Sequence, residues 1–142
     1  MSKLARQNGD DYPAAAEKNF TDAELLFQAG RFDGAGYLTG YVVECVLKTY
    51  ILVGGNKPWG HNLNDLSQEA LSLAAMPNAK TAKYLLKQTA NHPMYDRQAG
   101  WRETIRYRAP ASITAQQAQG WLVEARAVYA SAIPQMKLDG LI

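Results

Sequence analysis

A long amphipathic stretch, residues 34–53 (GAGYLTGYVVECVLKTYILV), constrains the fold of this chain more than any other feature. Small and apolar residues recur in it at steps of three and four, the period of an α-helix, and form one continuous stripe. The stripe consists of Ala35, Leu38, Val42, Cys45, Thr49 and Leu52. Polar side chains follow the same steps beside it, at Tyr37, Tyr41, Glu44 and Lys48. This apolar content predicts a core helix, although a purely structural core helix does not need a carboxylate in its middle.

The composition is that of an ordinary globular protein, with 47% hydrophobic and 20% charged residues in a chain of 142. The longest apolar run, residues 41–53, is interrupted by Glu44 and Lys48 and is shorter than the roughly 18 residues of a membrane span. The first residues lack the apolar segment of a signal peptide. A single cysteine excludes an internal disulfide and fits a reducing compartment. We therefore expect one cytoplasmic domain, residues 1–142, without a membrane segment.

Helical patterns and end signals along the chain predict an all-α fold of about five helices in an antiparallel up-and-down bundle. Pro13 fits a first helical turn, Asp33 and Asn62 fit N-caps, Thr114 fits a capping box, and Pro134 fits a helix end. The predicted helices span residues 12–29, 34–53, 63–75, 79–91 and 114–133, with a short additional helix at 101–107. Residues 1–11 are predicted to be loose.

Gly36 and Gly40 lie four residues apart and therefore share one face of the second predicted helix. Without side chains there, another backbone can approach closely, and we expect the first predicted helix to pack against this face. The same face, together with the apolar content, favours a two-fold homodimer.

Several kinds of catalytic site find no support in the sequence. The two histidines and the one cysteine lack the spacing of metal ligands, and no glycine-rich loop precedes a helix with the Lys-Ser/Thr pair that phosphate binding needs. No Gly-x-Ser-x-Gly nucleophile motif is present. Cys45 lies on the apolar stripe and is interpreted as a small core residue. We therefore predict no metal, no cofactor and no catalytic residue.

Charge is distributed unevenly along the chain. Residues 1–79 contain six Lys/Arg and nine Asp/Glu, whereas residues 80–108 contain seven Lys/Arg and two Asp/Glu. The basic segment includes Arg97, Arg102, Arg106 and Arg108, with Tyr95, Trp101 and Tyr107 between them. Guanidinium groups bind phosphate and aromatic faces stack on bases, so this segment is a candidate site for RNA or a nucleotide. The alternative is a solvated or ion-paired segment that balances the acidic first half of the chain.

Glu44 and His61 each allow a structural and a functional interpretation. A mid-helix carboxylate among apolar neighbours needs a partner, which would be Lys48 one turn later or, with two bonds, Arg102 or Arg106. His61 precedes the third predicted helix, where it would bond to the backbone or pack on Trp59. Alternatively, Glu44, Lys48 and His61 contact a ligand, and His61 could shuttle a proton.

Four sequence elements, taken in order over residues 14–132, resemble the HEPN domain family. The first helix has Ala-Glu-Leu-Leu at 23–26 followed by Ala-Gly-Arg-Phe at 29–32, and the second has Ala-Gly-Tyr at 35–37 and Glu-Cys-Val-Leu-Lys at 44–48. The third element is Gly-His-Asn-Leu-Asn-Asp-Leu at 60–66, and the fourth is Arg-Tyr at 106–107. This resemblance implies a small helical bundle that dimerises.

Ribonucleases of the HEPN family carry an arginine followed, after four to six residues, by a histidine, and this chain lacks that pair. No histidine follows His92, and neither His61 nor His92 has an arginine at the required distance before it. The resemblance then implies a noncatalytic module that binds a nucleotide or RNA, or that pairs with a small nucleotidyltransferase, in a toxin–antitoxin or defence setting. The alternatives are a metal-independent ribonuclease that uses Arg102, Arg106 and His61, and a helical bundle that binds an acidic protein.

Overall fold

Four α-helices and two short 3₁₀ helices form the regular structure of the part of the chain that the computed structural model describes, residues 1–84 and 91–142. The α-helices are α1 (Tyr12–Gln28), α2 (Phe32–Val53), α3 (Leu63–Ala74) and α4 (Ala115–Leu138). The 3₁₀ helices are Pro93–Tyr95 and Glu103–Tyr107. The predicted all-α class is confirmed, although the described residues contain four α-helices rather than five.

Helix α2 lies at the centre and packs against α1, α3 and α4. A short turn makes α1 antiparallel to α2, and Gly30 provides it with a φ of 72° in the left-handed region that glycine tolerates. Val42, Val46, Leu47 and Tyr50 are buried in the core. Each such large side chain contributes about 1.5–3 kcal/mol through burial, so α2 supplies much of the apolar core. Of the stripe predicted for this helix, Ala35, Val42, Cys45 and Thr49 are buried, whereas Leu38 and Leu52 are only half-buried.

Side-chain caps explain where three of the helices begin. The carboxylate of Asp11 accepts a hydrogen bond from Ala14 N in α1, and Asn62 Oδ1 accepts one from Asp65 N in α3. Thr114 Oγ1 accepts from Gln117 N at the start of α4. The predicted caps at Asn62 and Thr114 are therefore confirmed.

The predicted cap of α2 was wrong. The helix begins two residues earlier than predicted, at Phe32, so Asp33 lies inside its first turn. There the carboxylate accepts hydrogen bonds from Ala111 N at 2.6 Å and Ile113 N at 2.8 Å. Asp33 thus holds the loop before α4 against the start of α2, a tertiary role that local spacing does not indicate.

Pro134 does not end the last helix, contrary to the prediction, because α4 continues to Leu138. Proline inside a helix costs about 3 kcal/mol through its missing N–H and a steric clash. Ile133 just before Pro134 and Met136 two residues after it are completely buried in the core, whereas Pro134 is exposed. Packing of this final turn offsets the cost, and water can bond to the carbonyl that loses its helical donor.

Two further helix predictions need correction. Residues 79–84 form turns rather than the start of a helix, and Asn78 just before them has a φ of 58°. The remainder of that predicted helix overlaps residues 85–90, which lie outside the described residues. The short helix predicted at 101–107 is the 3₁₀ helix Glu103–Tyr107.

The glycine face of α2 is covered by other elements than α1. A Cβ atom on Gly36 would lie 3.0 Å from Ile113, and one on Gly40 would lie 1.9 Å from the Trp101 ring. The expectation that α1 packs on this face was therefore wrong. Because the chain itself fills the face, Gly36 and Gly40 no longer support a dimer, and the homodimer remains a prediction.

The first eleven residues, predicted to be loose, contact the bundle. Lys3 Nζ donates to Gly140 O at 2.7 Å, Leu4 packs against the core, and the Ser2 backbone donates to Asp11. These contacts hold the N-terminal segment against the bundle near the end of α4, and its residues 9–11 form part of one wall of the cleft described below.

Helix α2 is long and apolar enough to cross a membrane when judged by length and composition alone. However, 72% of the relevant window is buried within the bundle, and a core helix satisfies the same criteria. The observation is weak evidence for a membrane span.

Candidate functional site

A buried ionic cluster lies in the middle of α2. Glu44, only 3% exposed, receives Lys48 Nζ at 2.8 Å on its Oε1 atom. His61 Nδ1 lies 3.0 Å from the same oxygen. The predicted pairing with Lys48 is present, but the pairing with Arg102 or Arg106 was wrong. His61 was expected to bond to helix-end backbone or to pack on Trp59. Instead its ring bonds to Glu44, and Trp59 is exposed.

The second carboxylate oxygen of Glu44 has a different environment. Oε2 is buried and has no hydrogen-bond donor among the described residues. Desolvating a carboxylate oxygen without a donor is unfavourable, and native proteins rarely leave such a group unpaired. Glu44 is therefore fixed on one side by two nitrogens and has an unused acceptor on the other.

Two tyrosines of α2, one and two turns before Glu44, form a hydrogen-bonded pair that contacts the basic segment. Tyr37 donates from its hydroxyl to the Tyr41 hydroxyl at 3.1 Å, and Arg106 Nη1 donates to Tyr37 at 3.4 Å. Burial, together with the bond from Tyr37, raises the pKa of Tyr41 well above its usual range. Tyr41 therefore stays protonated and can donate a hydrogen bond to a ligand.

Cys45 is unsuited to nucleophilic catalysis. The side chain is buried, and burial raises the pKa of its thiol to about 12, with a further contribution from the Glu44 charge. The reactive thiolate is therefore almost absent at neutral pH. Its predicted burial is confirmed.

A cleft of about 620 Å³ opens beside Glu44, between the N-terminal segment and α2. We call it the Glu44 cleft. Residues of the N-terminal segment, α1 and α2 line it together with His61, and they include Asp10, Tyr12, Ala14, Lys18, Tyr41 and Lys48. The volume lies within the range of small-molecule sites in proteins.

The four predicted arginines are all exposed. Arg97 forms an ion pair with Asp65 at 2.5 Å, and Arg106 stacks on the Tyr107 ring at 4.9 Å. Arg102 and Arg108 lie at the two ends of the 3₁₀ helix Glu103–Tyr107. We call these four side chains together with Tyr107 the arginine surface.

Only one of the three aromatic residues predicted to stack on bases is available for that role. Tyr107 is 74% exposed, whereas Trp101 and Tyr95 are buried. Trp101 donates from Nε1 to Tyr37 O at 2.9 Å, and Tyr95 donates from its hydroxyl to the buried Glu124 at 3.0 Å. The prediction was wrong for Trp101 and Tyr95, which are core residues with satisfied polar atoms.

A second cleft, of about 350 Å³, joins the ionic cluster to part of the arginine surface. We call it the arginine cleft, and His61, Arg97 and Arg102 line it. His61 also lines the Glu44 cleft and is therefore common to both. Arg106 and Arg108 lie instead around a smaller cavity of about 200 Å³ with Asp33. The structure thus divides the predicted arginines into two pairs.

The bond between His61 and Glu44 is the feature that sequence reasoning missed. The two residues are 17 positions apart and belong to different elements, so no helical spacing relates them. The only signal in the sequence was that Glu44 and His61 each belong to one of the four elements that resemble the HEPN domain family.

Within residues 1–84 and 91–142, no group of three or more His, Cys, Asp or Glu side chains is arranged to hold a metal ion. The chemistry available in this region is that of guanidinium groups, a buried carboxylate and one half-exposed imidazole.

Comparison with known proteins identifies a family. A sequence model of the HEPN domain matches residues 11–133, most of the chain. No curated protein and no solved structure matches the chain significantly.

Proposed function

The chain belongs to the HEPN domain family, and we propose that it is a noncatalytic member that binds single-stranded RNA or a nucleotide through the arginine surface. Membership points in general to an RNA-related, nuclease-like or toxin–antitoxin role. The ligand and the absence of catalysis are proposals that rest on the residues of this chain.

The observation that supports the proposal is the exposure of four guanidinium groups, two of them at each of two cavities. Arginine presents paired N–H donors that match phosphate oxygens, and it does so best where its side chain is held in place. Arg106 is held by Tyr37 and by the ring of Tyr107, which is largely exposed and therefore available for stacking on a base. Phosphate and base recognition would therefore lie side by side.

The noncatalytic part of the proposal rests on the missing arginine-to-histidine motif. The part of the chain that would carry it, residues 93–142, contains arginines but no histidine. Without a histidine at the motif spacing after these arginines, the arginine surface can bind a phosphodiester but lacks the general base that the motif would supply to activate a ribose hydroxyl.

Arg102→Ala combined with Arg106→Ala is expected to weaken binding of single-stranded RNA by about tenfold or more, because two charge-assisted phosphate contacts are lost. The salt dependence of the affinity should also become less steep, since fewer counterions are released. Fluorescence anisotropy with a labelled oligonucleotide at several salt concentrations measures both effects.

The matched control is Arg31→Ala with Lys57→Ala, which removes the same charge from exposed positions elsewhere. This control should retain most of the affinity, and both double variants should keep the helical circular dichroism of the parent. Equal loss in the two variants would show nonspecific attraction. No binding of RNA or nucleotides at low salt would favour the protein-interaction alternative.

A second candidate function, metal-independent RNA cleavage, is favoured by one observation. Glu44 holds Nδ1 of His61, while the imidazole is half exposed in the same cleft as Arg97 and Arg102. A carboxylate-oriented histidine beside arginines could act as a general base at a phosphodiester.

We expect purified protein to leave RNA intact in the presence of EDTA, as followed by gel electrophoresis. The variants His61→Ala and His92→Ala form a matched pair, since His92 lies outside both clefts. Rapid cleavage that His61→Ala abolishes and His92→Ala preserves would replace the noncatalytic proposal with the ribonuclease. A nucleotidyltransferase partner stays a prediction from the family.

A further inference from the structure

We propose that the Glu44 cleft is a base-recognition pocket for nucleobases that carry an exocyclic amino group. The base would donate an N–H bond to Glu44, while its phosphate lies on Arg97 and Arg102 in the arginine cleft. This inference rests on the proposed function and specifies which nucleotides the same region selects.

The first argument is the unused acceptor. Oε2 of Glu44 has no donor among the described residues, although Oε1 accepts from both Lys48 and His61. A carboxylate oxygen can only accept, so the complementary ligand group is an N–H or O–H donor. An exocyclic amino group supplies that donor, and carboxylate side chains accept from such groups in base recognition.

The second argument concerns the shape and charge of the pocket. Tyr12 and Tyr41 provide aromatic rings in the walls, and the volume of about 620 Å³ is large enough for a nucleoside. Lys18 and Lys48 also line the cleft. Asp10 and Asp11 line it as well, so with Glu44 the cleft has three carboxylates against two ammonium groups and no large excess of either charge, which suits a neutral, planar hydrogen-bond donor.

The third argument is access. Oε2 has almost no surface open to water, so a ligand reaches it only when a covering side chain shifts. His61 has open space on two sides because it lines both clefts, and its side chain is 51% exposed. Displacement of this ring would open the path to Glu44 and make the two clefts continuous, so that one nucleotide could occupy both.

The test compares nucleotides that differ at the amino group. Isothermal titration calorimetry with the full chain should show that cytidine monophosphate binds about tenfold or more tightly than uridine monophosphate. Adenosine monophosphate should likewise bind more tightly than inosine monophosphate. Uridine and inosine present a carbonyl oxygen where cytidine and adenosine present the amino group, so they would place an acceptor against the Glu44 carboxylate, and a site built around a hydrogen bond discriminates strongly against such a mismatch.

A cleft-filling variant tests the location. Ala14 is an exposed position of α1 that lines the cleft, so Ala14→Trp should fill the pocket without disturbing the core and should abolish the preference for cytidine. Ala127→Trp, at an exposed position of α4 outside the cleft, should preserve it. Glu44→Gln is a less suitable probe because Lys48 would lose its buried charge partner.

The outcomes separate this inference from the proposed function. Equal affinity for cytidine and uridine monophosphates, with binding that still depends on Arg102 and Arg106, would overturn the base pocket alone. Preserved discrimination in Ala14→Trp would overturn its location in this cleft. Absence of binding by all four nucleotides and by RNA would overturn the proposed function and the pocket together.

Discussion

Glu44→Ala is expected to lower the free energy of unfolding by about 3–5 kcal/mol, the usual result of removing one partner from a buried ion pair. Lys48 is the charge left behind: its side chain is only 9% exposed, and its ammonium lies 2.8 Å from Glu44. Loss of the carboxylate also removes the bond that orients His61. Urea unfolding followed by circular dichroism measures the change.

A double variant separates the ion pair from simple packing. Glu44→Leu with Lys48→Met replaces both charges by apolar side chains of similar length, and such replacements are often neutral or stabilising. We expect the double variant to regain most of the stability that Glu44→Ala loses. An unchanged unfolding midpoint in Glu44→Ala would contradict the buried pair and leave Glu44 with a ligand role only.

The parts of this fold that the sequence predicts are those governed by local periodicity and local chemistry. The boundaries of α1 to α3 follow from helical spacing and end signals within one to two residues, and the pair of Glu44 with Lys48 follows from their separation of four. The end of α4 could not be predicted in this way, because the burial of Ile133 and Met136 outweighs the cost of the proline between them. That competition depends on the rest of the core.

The same contrast between local patterns and long-range packing applies to the candidate site. Arginine side chains are mostly exposed in folded proteins, so the arginine surface could be predicted from composition. The burial of Trp101 could not be predicted, because it depends on a groove formed 61 residues earlier at Gly40. The link between His61 and Glu44 equally requires α3 to lie beside α2. Long-range packing therefore determines which members of a basic, aromatic segment are free to bind a ligand.

Gly40→Ala is expected to destabilise the fold by about 3–5 kcal/mol, the range for losing a buried tryptophan side chain. The new Cβ atom would lie 1.9–2.1 Å from three ring atoms of Trp101, far inside contact distance. The ring is only 3% exposed and is held by its bond to Tyr37 O, so it cannot shift as a flexible side chain would. Thermal unfolding and tryptophan fluorescence measure the stability and the displacement of the ring.

Gly120→Ala provides the matched control, since Gly120 also lies inside a long helix but has no atom within 4 Å of the added Cβ. Alanine is the better helix former, so this variant should gain about 0.5–1 kcal/mol. If the same substitution lowers the free energy of unfolding at Gly40 and raises it at Gly120, the difference reports the contact with Trp101 and not helix propensity. A stabilised Gly40→Ala would mean that Trp101 does not occupy this groove. The segment that carries Arg97 and Arg102 would then lose its anchor on α2, and with it the geometry of the arginine cleft.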